Sequence, residues 1–562
     1  MFALRASPHP SPSGPPRVAS TTRQSAHTAR RTSEHAAIPA SSFSVPCWRS
    51  CSLDPDGHCR KTGVRKTPTS LECAPACGIS KDPLSVKLAI PFSEHGGPLF
   101  RQVYLRVRAA ILSGALQSGE KLPSTRQMAE QLGISRTVVL LAYDQLLAEG
   151  FAVGRIGSGT YVSAPVRVSR SARSEGAVAV RLSRFGSAAA AAWARVNVPE
   201  RRSRSLLYDF AYGRSDLETF PFEMWRRILL RCARKARISE LDYGPAAGNV
   251  ALREAICVHL RRSRAVICDP AQVVVVNGSQ QALDLVARVL IERGDRVAIE
   301  DPSYQGTREA VRAAGADVLP IAVDRDGLNP AQLPPSARMA FVTPSHQFPT
   351  GAILPLARRL ALLEWAKRRQ AVIVEDDYDG EFRYEGQPVE PLYGLDDGAH
   401  VVYIGTFSRT VFSALRIGYL VAPQSLVAAL TSAKWLSDRH TTTLEQETLA
   451  EFMSCGMYER YLRRVRRRNA QRRRVLLENI HAYLGDRVQV TGEGAGAHVV
   501  LWPSRRVSEE AVIAGAAARG VGVYGISPYF LKRRVRTGIM LGYSRMKETE
   551  IREGIRRLAD AL

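Results

Sequence analysis

The stretch that decides the reading is Ser124-Thr-Arg-Gln-Met-Ala-Glu-Gln-Leu-Gly-Ile-Ser-Arg-Thr-Val-Val-Leu-Leu-Ala-Tyr-Asp-Gln-Leu-Leu-Ala-Glu-Gly150. Ser124 offers a side-chain oxygen to the free N–H groups that open a helix, and Met128, Ala129 and Leu132 share one face of it. Gly133 ends that helix, because glycine accepts the left-handed conformation at a helix C-terminus. Ser135 opens a second helix, expected to turn Val138, Val139, Ala142, Leu146 and Leu147 inward. Two helices across a turn of about three residues predict a helix-turn-helix.

In that geometry the second helix enters the major groove of DNA with its N-terminal residues at the base edges. Arg136 and Thr137 then stand at the reading end, and an arginine can grip guanine with two hydrogen bonds. Ser135 lies near phosphate. Lys121, Ser124 and Arg126 are placed along the backbone. The following segment, Arg155-Ile-Gly-Ser-Gly-Thr-Tyr-Val162, reads as a β-hairpin wing in which Gly159 permits close backbone approach. The segment 96–163 closely resembles the winged helix of the GntR family of bacterial repressors, which implies double-stranded DNA as a partner.

Outward from this module the chain changes character. Residues 1–95 are rich in Ser, Pro, Ala and Arg, and the first acidic residue is Glu34. The composition predicts a disordered extension or a start placed too far upstream, and it also resembles a transit peptide. Residues 164–204 read as a linker with helical propensity at Ala188–Ala192. From 205 to 562, short buried-strand runs (Val273–Val276, Arg296–Glu300, Met339–Thr343, Ala371–Glu375, Val401–Ile404) alternate with amphipathic helices such as Gln280–Glu292 and Leu356–Arg368. Such alternation predicts a parallel sheet covered by helices, with a large lobe at about 240–450. Residues 451–562 read as a smaller α+β lobe whose final helix starts near Lys547.

The 562 residues carry a net charge of +25, which suits a polyanionic partner or reflects a general richness in arginine. No apolar run reaches the roughly 18 residues that cross a bilayer. Of nine cysteines, Cys47, Cys51, Cys59, Cys73 and Cys77 lack zinc-site spacing, and no metal site is expected. Cys232, Cys257, Cys268 and Cys455 read as buried thiols, which points to a reducing, cytoplasmic compartment.

Several motifs of the large domain sit at carboxyl ends of strands, where open α/β sheets bind ligands. Asn277-Gly-Ser-Gln-Gln-Ala282 opens a helix, so Gly278, Ser279 and Gln280 offer backbone N–H groups to a phosphate. Asp301-Pro-Ser-Tyr304 brings an aromatic ring. Thr343-Pro-Ser-His-Gln-Phe-Pro-Thr-Gly351 contributes His346. Glu375-Asp-Asp-Tyr-Asp379 supplies Asp376 for a protonated pyridine nitrogen and Tyr378 for a ring hydroxyl. Each has a plain structural alternative: a turn, a helix cap, a core ring.

Taken together they resemble the fold-type-I aminotransferases, which implies pyridoxal 5'-phosphate. Joined to the winged helix they resemble the MocR/GabR-type regulators, multidomain proteins in which such a domain senses a small amine or amino acid. The resemblance implies a cytoplasmic bacterial homodimer that regulates transcription; an active aminotransferase is the alternative.

One departure bears on the chemistry. The family's cofactor lysine lies in a Ser-Lys-Thr run, but here the run is Gly405-Thr-Phe-Ser-Arg-Thr-Val-Phe-Ser-Ala-Leu-Arg-Ile-Gly-Tyr419. Arg409 stands at the lysine position, while Ser408 and Arg416 keep the phosphate-binding places. Covalent attachment needs a neutral amine, and arginine stays protonated with delocalised lone pairs. Lys367 and Lys434 fall in helical patterns away from the strand ends. No catalytic residue is therefore expected. Three states of the pocket remain open: cofactor held without a covalent link, another small anion with Arg409 as an added donor, or a vestigial pocket. A softer departure concerns the arginine that clamps a substrate carboxylate: its place reads Met540, Gly525-Ile-Ser-Pro-Tyr529 lacks one too, and Arg536 is the remaining candidate. Finally, Tyr458–Arg474 holds nine arginines on a helical pattern. They read as a solvated helix face, with dimer or DNA contact as alternatives.

Overall fold

The computed structural model describes Phe92 and residues 96–163, 180–196, 206–236, 242–386, 389–396, 398–532 and 536–562. The expectations for residues 1–91 and 93–95, and for 164–179 and 197–204 of the linker, lie outside them. The chain divides into two compact units at Ser174/Glu175.

In the first unit, α1 (Leu99–Leu112), α2 (Thr125–Leu132) and α3 (Arg136–Ala148) precede a hairpin of β1 (Ala152–Arg155) and β2 (Gly159–Val162). Gly133 closes α2 at φ 63°, the left-handed conformation expected of it. Val103, Val107, Leu122, Met128, Val139 and Leu146 form the small core. The inward face of α3 differs from expectation in two places. Leu147 is exposed and Val138 half-buried. The buried positions are Val139, Ala142, Tyr143 and Leu146, the i, i+3, i+4, i+7 set that meets α1 and α2, and Leu147 lies off that face. Tyr143 is buried, and its hydroxyl is satisfied by donating to the Pro123 carbonyl at 2.9 Å.

The second unit opens with α4 (Arg184–Arg195), β3 (Tyr208–Asp209), α5 (Phe222–Lys235) and α6 (Val250–Arg264). An eight-stranded sheet follows, built of β4 (Val273–Val276), β5 (Arg296–Asp301), β6 (Asp317–Asp324), β7 (Gly327–Leu328), β8 (Ala337–Val342), β9 (Val372–Asp377), β10 (Val401–Thr406) and β11 (Gly418–Val421), in the order β4-β11-β10-β9-β8-β5-β6-β7. β5, β6, β8, β9 and β10 run parallel; β11 is antiparallel to both β4 and β10. Val273 and Val275 face one core, Val274 and Val276 the other. This two-sided burial is why the strands read as unbroken apolar runs. The covering helices include α7 (Ser279–Leu290), α8 (Gln305–Ala314), α9 (Leu356–Arg369), α10 (Gln424–Asp438) and α11 (Thr443–Ser454).

The long helix α12 (Met457–Leu484) leads to an antiparallel sheet of β12 (Val488–Thr491), β13 (His498–Pro503), β15 (Tyr524–Gly525) and β16 (Ile539–Gly542). α13 (Glu509–Ala518) and α14 (Glu548–Ala559) cover it, and β14 (Val521–Gly522) pairs with β3. The division of lobes is not sequential. Tyr458 and Val465 of α12 pack in the large core, while Val475 and Ile480 pack in the small one together with Phe210 from far upstream. Cys232, Cys257 and Cys268 are buried as expected; Cys455 is exposed, because it falls in the turn between α11 and α12.

Candidate functional site

The winged helix presents its candidate DNA residues on an exposed face. Ser124 Oγ accepts from Gln127 N at 3.3 Å while the Gln127 side chain accepts from Ser124 N at 3.0 Å, a reciprocal cap that fixes where α2 begins. Ser124 thus serves the helix first, and Gln127 is a partner the sequence reading missed. Ser135 caps α3 through Val138 N at 3.4 Å. Arg126, Arg136 and Thr137 are exposed, and Arg136 Nε donates to Thr125 Oγ1 at 3.3 Å, tying the reading end of α3 to α2. Leu122 N donates to the Thr160 carbonyl, so the segment before α2 adds to the wing. Lys121 passes over Gly159, and Lys121 and Arg155 lie 5.9 and 4.6 Å from the Tyr161 ring centroid. Arg155 therefore joins the basic set on the wing.

The second unit holds a cleft of about 1150 Å³ at the carboxyl ends of its parallel strands. Ser279, Gln280, Tyr304, Asp376, Tyr378, Ser408, Arg409 and Arg416 all line it. Five different strand ends deliver them, which is why they are scattered in sequence.

At one end, Gly278 sits at the N-terminus of α7 with φ 82°. A Cβ there would lie 2.6 Å from an Arg416 guanidinium nitrogen, so glycine lets Arg416 cross the helix end and donate to the Asn277 carbonyl at 2.8 Å. Ser408 Oγ is buried nearby without a protein partner. Free helix N–H groups, a hydroxyl and a guanidinium gather here, a donor set of the kind that can hold an anion. Asn277 and Gln281 both donate to Asp438, which also pairs with the buried Lys434. Lys434 thus props this end from behind and does not line the cleft.

Deeper in, Asp376 is buried and its Oδ1 has no hydrogen-bond partner. Burial, then the charge of Asp377, pushes its carboxyl up to about 7, while Arg409 pulls the other way. A cationic hydrogen-bond donor would relieve both the vacancy at Oδ1 and the cost of burying the charge. Burial, then Asp379, raises the Tyr378 hydroxyl. Tyr304 is partly exposed over the cleft, its ring edge-on to Phe348 at 6.2 Å.

His346 departs from expectation. It does not line the cleft but lies behind Tyr378, its Nδ1 3.0 Å from the Tyr378 hydroxyl and 3.1 Å from Asp379 Oδ2. The loop after β8 turns its ring into the core, so it supports Tyr378 from the side away from the cleft.

Arg409 occupies the middle. Its guanidinium stacks 4.3 Å from the centroid of Tyr212, and Ser215 Oγ donates to the Ser408 and Arg409 carbonyls at 2.9 and 3.2 Å. Tyr212, Gly213 and Arg214 were missed in the sequence because they belong to no strand or helix. Met540 lines the cleft, whereas Arg536 is exposed and donates to Gln489 and the Trp502 carbonyl. Arg536 is therefore not the carboxylate clamp. Phe185, Ala189 and Trp193 of α4 also line the cleft, and Arg195 ties that helix to Glu309 of α8 at 2.6 Å. The linker reading gave no hint of this.

The residues present fit a pyridoxal-phosphate-like anion at its phosphate end and at its ring nitrogen. They do not fit covalent attachment, since the guanidinium of Arg409 stands at the required place and, among the described residues, no lysine lines the cleft.

Comparison with known proteins accords with this geometry. Residues 210–558 match the family described as aminotransferase class I and II, and residues 99–162 match the gntR family of bacterial regulatory proteins. The chain is 38% identical over 467 residues to the probable rhizopine catabolism regulatory protein MocR of Rhizobium meliloti, covering 83% of this chain and 94% of that one. It is 35% identical over 480 residues to the HTH-type transcriptional regulator TauR of Rhodobacter capsulatus, covering 83% and 97%. Among solved structures it is similar to LysN, an alpha-aminoadipate aminotransferase of Thermus thermophilus, at 28% identity and a TM-score of 0.60, over 66% of this chain and 96% of that one. Both halves and their order are shared with the regulators along nearly their whole length, so the chain belongs to the MocR-type transcription regulators, in which a GntR winged helix is joined to a class I and II aminotransferase domain.

Proposed function

We propose that this regulator acts as a cytoplasmic homodimer, binds duplex DNA through Arg136, Thr137 and the basic wing, and senses a small amine or amino acid in a cleft that holds pyridoxal phosphate without a covalent link. The observation that carries the ligand reading is the pairing of Arg409 at the cleft centre with two buried, unpartnered acceptors at its ends, Asp376 Oδ1 and Ser408 Oγ. When bound, pyridoxal phosphate supplies an electron-withdrawing ring and an aldehyde. Ser279, Gln280, Ser408 and Arg416 would hold its phosphate, and Asp376 would accept from the ring nitrogen. Tyr304 would cover the ring, with Tyr378 beside its hydroxyl. The lone pairs of a guanidinium are delocalised, so Arg409 neither attacks a carbonyl nor moves a proton from a substrate. The domain on this reading binds and signals but does not turn over.

Equilibrium dialysis against pyridoxal phosphate and against inorganic phosphate tests the reading. Reversible, Asp376-dependent binding of pyridoxal phosphate supports it. Equal binding of phosphate alone would favour a plain anion site, and transamination by the purified protein would refute the sensor reading. For the head, a gel-shift on the upstream region of its own gene should be lost on Arg136→Ala.

A further inference from the structure

We infer that the exposed face of α12 is a second DNA-binding surface, one that grips the phosphate backbone without reading sequence. The inference rests on the regulator reading above and adds a contact made by the aminotransferase-like domain.

The nine arginines of this helix divide into two sets. One set is structural. Arg472 is buried and donates to Asp216 at 2.8 Å and to the Ser544 carbonyl, and Arg468 reaches the same Asp216 at 3.7 Å. Arg466 donates to the Glu381 carbonyl at 2.5 Å, and Arg473 pairs with Glu385. The other set, Arg460, Arg463, Arg464, Arg467 and Arg474, is exposed, and of these Arg474 meets Glu478 at 3.8 Å in an exposed pair on the same helix. At 3.6 residues per turn these five fall within an arc of roughly 100°, along about 21 Å of helix axis, opposite the buried Tyr461, Val465 and Asn469. Among the described residues no carboxylate lies within ion-pair distance of Arg463, Arg464 or Arg467. Glu459, one turn before Arg463, is already taken by His259 at 2.6 Å.

Like charges three and four residues apart on a helix repel. A row whose middle members, Arg463, Arg464 and Arg467, have no carboxylate within ion-pair distance among the described residues is relieved by an external polyanion of matching length. Duplex DNA fits: about 21 Å spans roughly six base steps of phosphate, and arginine binds phosphate through two N–H groups at once. A membrane surface fits less well, because an interfacial helix turns its apolar face to lipid, and the apolar face of α12 is occupied by both cores of the domain.

The test is the salt dependence of DNA binding by the full-length protein, measured by fluorescence anisotropy on the upstream region of its gene and on a scrambled duplex. The variant Arg463→Gln/Arg464→Gln/Arg467→Gln keeps the side-chain stems and removes three charges. The control Arg226→Gln/Arg227→Gln/Arg325→Gln removes three exposed charges that already have acidic neighbours. We expect the α12 variant to flatten the log K against log salt slope by about 2 to 3 on both duplexes and to weaken binding roughly tenfold, with the control near wild type. Equal slopes for wild type and the α12 variant overturn this inference and leave the regulator reading standing. A wild type that shows no salt-dependent DNA binding overturns both. A variant whose solution mass changes shows the face to be an interface between copies instead, and the DNA assignment falls.

Discussion

At the scale of single residues the cleft is governed by the charge of two side chains, Asp376 and Arg409. Asp376 is buried with its carboxyl raised to about 7 from an ordinary 3.8. A raised carboxyl favours the folded state only while protonated. Its contribution is complete below about pH 4 and is lost as pH rises through 7. Asp376→Asn should therefore raise the unliganded protein's stability at pH 8, by roughly 2–4 kcal/mol, and flatten its fall between pH 4 and 8, as followed by urea denaturation. The same variant should bind pyridoxal phosphate at least about tenfold more weakly, since a charged acceptor is exchanged for a neutral one. Arg409 carries the complementary prediction. Arg409→Lys should retain pyridoxal phosphate through dialysis with a visible absorbance band, because a buried lysine readily sheds its proton. A variant that binds cofactor no more durably than wild type would mean the rest of the pocket is not built for it. The identities of both residues were plain in the sequence. The orphaned Oδ1 and the stacking of Arg409 on Tyr212 were not, because they depend on segments more than 150 residues apart.

Among the elements, the helix-turn-helix was the most legible, since its start and stop rest on local chemistry. Gly133 at φ 63° is the hinge of that geometry. Gly133→Ala should destabilise the head by about 1 kcal/mol with little change in residual DNA specificity, measured by thermal melting and gel-shift. Ser124→Ala should cost a similar amount by removing the cap shared with Gln127. The inward face of α3 was read less well, since a tyrosine can face either core or solvent; here Tyr143 completes the buried set with Val139, Ala142 and Leu146, and its hydroxyl finds the Pro123 carbonyl. The helix α4 shows the same limit. Its alanine run gave only helical propensity, and nothing local tells that Phe185 and Trp193 wall a cleft formed by distant strands.

For the whole molecule, the division into two compact units has a thermodynamic consequence. The head has its own small core, so a ligand bound in the cleft should raise the melting of the second unit alone, by about 2.7 kcal/mol at a hundredfold excess over Kd. Scanning calorimetry with and without pyridoxal phosphate checks this; equal shifts of both transitions would show that the units melt together. The sequence by itself determined the kind of each half, because helix caps, glycine stops and apolar strand runs act over a few residues. It also determined that Arg409 cannot serve as an amine, which is a property of the side chain. The tertiary structure alone decided what the cleft contains. It set His346 behind Tyr378, removed Arg536 from the site, brought α4 to its wall and separated the arginines of α12 that bind within the domain from those that face solvent. These are contacts between residues far apart in the chain, and no local propensity encodes which distant side chain arrives.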